Sequence, residues 1–238
     1  MPEFADIHIH ALYGVDDGAK TIEESMEILK TAYKAGTRAV CLTPHYSPLH
    51  FGDNGRLCDR NFGELKKACL ESFPELKLFM GNELFYDKAF QTHLGSGCRT
   101  LGDTDNVLVD FRYDEDADII EKALKSIYNA GYRPVLAHAE KYKSLKKHLN
   151  LLFACKRLGI VIQLDSDSVL GRSGLGTCLF AMELLKSGLA GAVASDAHNL
   201  TSRAWNLDKC YELIAGKFGR DCADGLCCEM PKALLGLL

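Results

Sequence analysis

Short apolar runs, each long enough for one buried strand, alternate along this chain with longer stretches in which apolar residues return every third or fourth position, as on one face of a helix. Residues 4–10 predict the first strand and 14–18 the turn after it. Thr21-Ile22-Glu23-Glu24 has the form of a capping box, in which a hydroxyl and a carboxylate satisfy the free N–H groups at a helix start. The helix it opens carries Ile22, Met26, Leu29 and Tyr33 on one side, and Gly36 ends it. Residues 38–43 predict the second strand, 46–57 an irregular loop and 59–72 a helix. Strands at 75–80 and 106–110 follow, with a weak helix around 87–93 and a Gly/Ser-rich loop between them. Asp116 caps a helix that ends at Gly131. The remaining chain reads as strand 133–137, helix 145–158, strand 160–164, helix 177–187, strand 190–194 and helices near 207–218 and 223–238.

Gly36, Gly131, Gly159 and Gly188 each stand just past a helix and just before a strand, where a left-handed backbone is easiest without a Cβ. The repeat is one strand and one helix long. It predicts a single α/β domain over residues 1–238, a distorted (β/α)7 barrel of parallel strands with its working face at their C-terminal ends.

Composition narrows the function. With 238 residues, 47% of them hydrophobic, the chain can fill one large core. Its 28 basic and 32 acidic residues give a net charge of −4 with no basic block, which argues against a nucleic-acid partner. The first residues carry no targeting pattern, and no segment reaches the roughly 20 apolar residues that span a bilayer. A cytoplasmic protein that is not an integral membrane protein is therefore expected. The ten cysteines are scattered without a CxxC pair, which points to reduced thiols rather than disulfides.

The chemistry gathers where strands run out: Asp6-Ile7-His8-Ile9-His10, Thr43-Pro44-His45, Gly81-Asn82-Glu83, Asp110, Ala137-His138 and Ser195-Asp196-Ala197-His198. Each alone has an ordinary explanation. His-x-His on a strand shares one face but is equally a pair of hydrogen-bonded histidines, Glu83 could be a turn carboxylate, and Ser195-Asp196 a helix cap. Six of seven strand ends bearing such groups is another matter, because a parallel barrel gathers those ends onto one face. The pattern predicts a multinuclear metal hydrolase. Rival nucleophiles lack their signatures: no cysteine is followed six positions on by arginine, and no Gly-x-Ser-x-Gly elbow occurs.

These motifs, in this order, resemble the polymerase and histidinol phosphatase (PHP) superfamily. Gly14-Val15-Asp16-Asp17-Gly18-Ala19, Thr43-Pro44-His45, His138-Ala139-Glu140-Lys141-Tyr142 and Ser195-Asp196-Ala197-His198 through Arg203 resemble, more narrowly, its bacterial tyrosine-protein phosphatases from capsule and exopolysaccharide loci. The resemblance runs from Asp6 to about Leu235. It implies three divalent metal ions: one held by His8, His10, Glu83 and Asp196, a second by Glu83, Asp110 and His138, a third by Asp17, His45 and His198. Mn, Fe, Zn and Co all suit this donor set. Asp17 and His45 would also be catalytic as ligands, and Arg203 and Lys141 would hold substrate phosphate.

The implied reaction is attack on phosphotyrosine by a metal-activated hydroxide, and the implied partner a tyrosine kinase of polysaccharide export. A small-molecule phosphatase such as one for histidinol phosphate, or a catalytically silent metal-binding domain acting through partners, are the alternatives. Two residues depart from the family pattern. Asp110 stands where glutamate is usual, and Lys141 stands where arginine would offer a fork to two phosphate oxygens.

Overall fold

The computed structural model describes residues 2–51 and 54–238. Its strands are β1 (Phe4–Ile9), β2 (Thr37–Leu42), β3 (His45–Tyr46), β4 (Lys77–Met80), β5 (Glu83–Phe85), β6 (Asn106–Asp110), β7 (Arg133–Leu136), β8 (Val161–Asp165) and β9 (Ala192–Ala194). Every pairing between them is parallel, in the orders β1-β2-β4 and β3-β5-β6-β7-β8-β9. β3 continues β2 beyond Thr43-Pro44, and β5 continues β4 beyond Gly81-Asn82, so the nine segments fill seven strand positions. β9 meets β1 again, where Asp196 N donates to His8 O at 2.8 Å and His10 N donates to Ala197 O at 2.9 Å.

The two interrupted strands have a local cause. Pro44 has no N–H to give a ladder. At Gly81 a Cβ would lie 3.0 Å from Cys41 Sγ, and the chain turns there in close contact with its neighbour. Each break falls just before a candidate ligand, His45 or Glu83, and re-aims it. A third irregularity lies in β1, whose register against β2 slips between Asp6, opposite Val40, and Ile9, opposite Leu42. This bulge lets Ile7 face the lumen and, beyond it, His8 and His10 as well.

The lumen is lined by Ala5, Ile7, Ala39, Cys41, Leu108, Val135, Ala137, Ala192 and Ala194, and Leu234 and Leu235 close its floor. Small side chains suit so narrow a space. The outer faces of the strands and the inner faces of the helices form the larger core, which includes Ile28, Leu65, Ile120, Leu124, Leu152 and Leu184.

Most elements lie within a few residues of the positions expected from the apolar pattern. The helix Leu207–Phe218 and strand β6 coincide with it. Gly36, Gly131, Gly159 and Gly188 all have positive φ, from 66° to 110°. Thr21 Oγ1 accepts from Glu24 N as a cap should, but the Glu24 carboxylate takes Lys20 N instead of the Thr21 amide. Asp116 occupies the N-cap position without a side-chain capping bond.

Three stretches differ more. The loop expected at 46–57 contains the end of β3, a turn of helix at Pro48–Phe51 and the start of the helix Gly55–Ser72, while residues 52 and 53 lie outside those described. The helix expected at 145–158 is a 3-10 turn, Ser144–Lys147, followed by Leu149–Arg157. The closing helix is three pieces, Arg220–Asp224, a wide π turn at Gly225–Glu229 and Met230–Leu234. Pro231 explains the wide turn, since it cannot donate to the preceding turn and its ring crowds the carbonyl four residues back. No described helix is long and apolar enough to cross a membrane.

Candidate metal centre

The strand ends converge on one buried polar layer above the lumen. His8 and His10 point their Nε2 atoms at each other across 3.2 Å. The Glu83 carboxylate lies in the middle of four imidazoles. Its Oε1 is 3.2 Å from His8 Nε2 and 3.0 Å from His138 Nε2, and its Oε2 is 3.2 Å from His10 Nε2 and 2.8 Å from His45 Nδ1. Asp196 Oδ1 is 3.3 Å from His8 Nε2 and 3.5 Å from His10 Nε2. On the open side Asp17, 57% exposed, sets Oδ1 at 3.3 Å from His45 Nε2 and 3.5 Å from His198 Nε2.

Second contacts fix which ring nitrogen faces inward. Gln163 Oε1 takes His8 Nδ1 at 3.1 Å and the His138 amide at 2.9 Å, so His8 presents Nε2 to the cluster. Asp16 Oδ2 does the same for His10, at 2.7 Å from Nδ1, and also accepts from His45 N. His198 Nδ1 donates to the Asp196 carbonyl at 2.8 Å, leaving Nε2 forward. The Asp16-Asp17-Gly18 loop passes against β1 so closely that a Cβ at Gly18 would overlap the His10 carbonyl oxygen.

This much charge without cations is strained electrostatically. Burial alone would lower the pKa of His8, but Glu83 and Asp196 raise it to about 9. His45 is likewise opposed by burial and raised to about 11 by Glu83 and Asp17. His138 and His198 go the other way, to about 4, through burial and, respectively, Lys141 and His10. Burial and the neighbouring Glu83 charge push Asp110 up to about 7. Glu83 Oε2 and His198 Nε2 make these close approaches without a hydrogen bond of acceptable geometry, and His138 Nδ1, on the side of its ring away from Glu83, is also buried without one.

Among the described residues three donor groups have atoms all within 4.8 Å of one another: His8, His10 and Asp196; His8, Glu83 and His138; and His10, Asp17, His45 and His198. The donors fit divalent cations, because protons cannot satisfy so many lone pairs facing common points. Asp110 stands apart from these groups. Its Oδ1 is 3.7 Å from His138 Nε2 and is held by Tyr142 Oη at 2.9 Å and its neighbour Phe111 N at 2.7 Å.

Asp6, Lys141 and the end of β8 take the following places. Asp6, two residues before His8, is turned away from the histidines by the bulge in β1 and holds Ser195 N and Trp205 Nε1 at 3.1 and 3.0 Å. Lys141, expected on the substrate, has its ammonium between Asp165 Oδ2 at 2.7 Å and Asp196 Oδ2 at 3.0 Å, with the side chain only 14% exposed. The β8 end, which seemed to lack chemistry, supplies that Asp165. Arg203 does reach the mouth, 39% exposed, with Nη2 on Asp196 Oδ2 at 2.8 Å and Nη1 3.8 Å from Asp17 Oδ2.

The model of the family described as capsular polysaccharide synthesis, CpsB/CapC, matches residues 4–236. The chain belongs to the CpsB/CapC family. It is 30% identical over 241 residues to the tyrosine-protein phosphatase CpsB of Streptococcus agalactiae serotype III, with 97% of each chain covered. To the tyrosine-protein phosphatase YwqE of Bacillus subtilis it is 27% identical, covering 91% of this chain and 85% of that one. A crystal structure from work on YwqE and on CpsB of Streptococcus pneumoniae, described as metal-dependent tyrosine phosphatases, matches with a TM-score of 0.89 at 26% identity, covering 98% of this chain and 94% of that one. An organophosphorus hydrolase variant from Deinococcus radiodurans, 13% identical at a TM-score of 0.63, shares the fold alone.

Within this CpsB/CapC fold no cysteine has a place in the cluster. The ten thiols are all unpaired, and the one lining the lumen beneath it, Cys41, is pushed by burial up to about 12.

Proposed function

We propose that the chain is a single-domain, metal-dependent protein-tyrosine phosphatase that binds three divalent cations at His8, His10, Asp17, His45, Glu83, Asp110, His138, Asp196 and His198. Its substrate would be a phosphotyrosine protein of polysaccharide synthesis, a tyrosine kinase of export in particular. Family membership supports the reaction class, and one observation carries the site: four imidazoles within about 3 Å of a single buried carboxylate, Glu83. Ten unpaired thiols suit the reducing cytoplasm as its place of work.

Bound cations would supply Lewis acidity for the phosphoryl oxygens and lower the pKa of the water that attacks phosphorus. The chain's own groups orient the reactants. Arg203, planar and partly exposed, offers its fork to two phosphate oxygens as negative charge builds on them. Asp17 and His45 line the same open side. A hollow of about 430 Å³ lined by Phe85, Asp110, Phe111, Arg112, Tyr113 and Lys143 adjoins the cluster, and Tyr113 stands edge-on to His138 at 5.9 Å. That wall suits an aryl leaving group. A tyrosine phenolate, with a pKa of about 10, leaves with less help from a proton donor than an alkoxide does.

The test compares inhibitors and substrates in one preparation. Chelation should abolish p-nitrophenyl phosphate hydrolysis reversibly, and alkylating accessible cysteines should leave most of it. Phosphotyrosine peptide should be turned over in preference to histidinol phosphate. Chelator resistance with thiol sensitivity would sink the mechanism, and the reverse substrate order would sink the assignment.

A further inference from the structure

The carboxylate of Asp196 is divided between two environments. Oδ1 faces the imidazoles of His8 and His10, whereas Oδ2 receives Lys141 Nζ at 3.0 Å and Arg203 Nη2 at 2.8 Å. We propose that Lys141 is a positioning residue: anchored by Asp165, its ammonium occupies the outer oxygen of Asp196 and aims the inner one at the cation. This rests on the reading of Asp196 as a metal ligand.

The anchor is itself fully engaged. Asp165 Oδ2 takes Lys141 Nζ at 2.7 Å, and Oδ1 accepts from Asp167 N at 3.0 Å, capping the short helix Ser166–Val169. The Asp165 amide is held in turn by Glu140 Oε1 at 3.2 Å. An ammonium has three donors, and two of them are spent on these carboxylates. One donor is left over, but moving the ammonium off Asp165, which is 3% exposed, to centre it on a phosphate would leave a buried carboxylate without its cation, which is strongly unfavourable.

Arg203 is under no such constraint. Its guanidinium can turn from Asp196 toward an incoming phosphate, provided another cation stays on Oδ2 while it does so. Lys141 is that cation. The two basic residues thus divide the work, the exposed fork meeting substrate and the buried point charge keeping the ligand aimed. Because Asp165 neutralises Lys141, the brace adds no net positive charge next to the bound metal.

The charge-conserving double variant Lys141→Met/Asp165→Asn removes the brace without leaving either charge unpaired. On metal-stripped protein, competition with a chromophoric chelator should show Mn²⁺ bound about 10- to 100-fold more weakly, the range typical of lost contacts behind a ligand. Thermal unfolding of the stripped protein should stay close to wild type. At saturating Mn²⁺, KM for p-nitrophenyl phosphate should be unchanged and kcat lowered. A raised KM with wild-type Mn²⁺ affinity would make Lys141 a phosphate contact and overturn the proposal.

Asp196→Asn separates the two ideas. If it binds Mn²⁺ as wild type does, the metal role of Asp196 fails and the brace with it. If it loses Mn²⁺ while the double variant does not, the brace alone is wrong. Should the double variant not fold, Lys141→Gln, which is one atom shorter and carries no charge, should give an intermediate loss of Mn²⁺ affinity; wild-type affinity there would equally refute it.

Discussion

Replacing Glu83 by glutamine keeps the shape of the side chain and removes the charge on which four imidazoles converge. In metal-stripped protein the consequence can be worked from His8, whose pKa of about 9 is raised chiefly by Glu83 against the opposing effect of burial. Without Glu83 the imidazole escapes an unpaired charge by losing its proton. At about pH 7.5 that forfeits roughly 1.5 pH units of proton affinity, or about 2 kcal/mol. For a chain of this size that is a fall in Tm of about 4–8 °C. The loaded protein should lose more, because a ligand shared by two cations is weakened at both. A Kd about 100-fold weaker removes up to about 2.7 kcal/mol of the stabilisation that metal binding confers.

Three measurements on one sample decide it: elemental metal content, Tm with and without chelator, and kcat/KM on a phosphotyrosine peptide. The wild type should show a large Tm increment on adding Mn²⁺ and Glu83→Gln a small one. Turnover should fall by at least the roughly 10²–10³-fold that follows loss of one preorganised electrostatic contact. A variant that keeps its metals and most of its rate would show that Glu83 is not the shared ligand.

Arg203→Ala should lower kcat/KM on phosphotyrosine peptide by about 10²–10³-fold with metal content retained; wild-type rates, or loss of metal, would remove it from the substrate site. Stability should depend on pH in two directions in the stripped protein. The raised His8 and His45 contribute fully below their ordinary 6.5 and lose that contribution as pH climbs through about 9 and about 11, and the raised Asp110 loses its own as pH climbs through about 7, whereas the lowered His138 and His198 contribute above 6.5 and lose it as pH falls through about 4. Denaturant titrations across that range should therefore peak near the middle. Mn²⁺ affinity should instead rise with pH through about 9 for His8 and on toward about 11 for His45, about tenfold per unit for each proton expelled, and a flat profile between about pH 6.5 and 8.5 would refute protonated His8 and His45 in the free site.

Strand ends were legible in the sequence because short apolar runs stop abruptly at His10, His45, Glu83, Asp110, His138 and Asp196. Their second contacts were not. Asp16 and Asp17 are adjacent and chemically identical, and only the path of the loop over His10 makes one an orienting partner and the other an exposed donor. Asp6 could not be separated from His8 and His10 by a period of two, since the bulge that divides them has no side-chain signature. The β8 end did leave a signal. Gln163 is a polar residue inside an otherwise apolar run, followed by Asp165-Ser166-Asp167, and it holds both the His8 ring and the His138 backbone amide.

Two corners explain why ligand and cation arrive from the same loops. Among the described residues only His138, at φ 31°, and Asp196, at φ 51°, have left-handed backbones without being glycine. Such a conformation costs about 1–3 kcal/mol and persists where surrounding structure enforces it. Each lies two residues beyond the end of a strand, and each turns the chain back on itself. After His138 the 3-10 turn Ala139–Lys141, closed by Lys141 N on His138 O at 2.9 Å, returns the Lys141 ammonium to Asp196. After Asp196 the loop closes through His198 N on Arg203 O at 2.9 Å and returns the Arg203 guanidinium to the same carboxylate. Glycine at either corner would relieve the backbone but delete a proposed ligand, so the strain is the consequence of making one residue both turn the chain and face the buried polar layer.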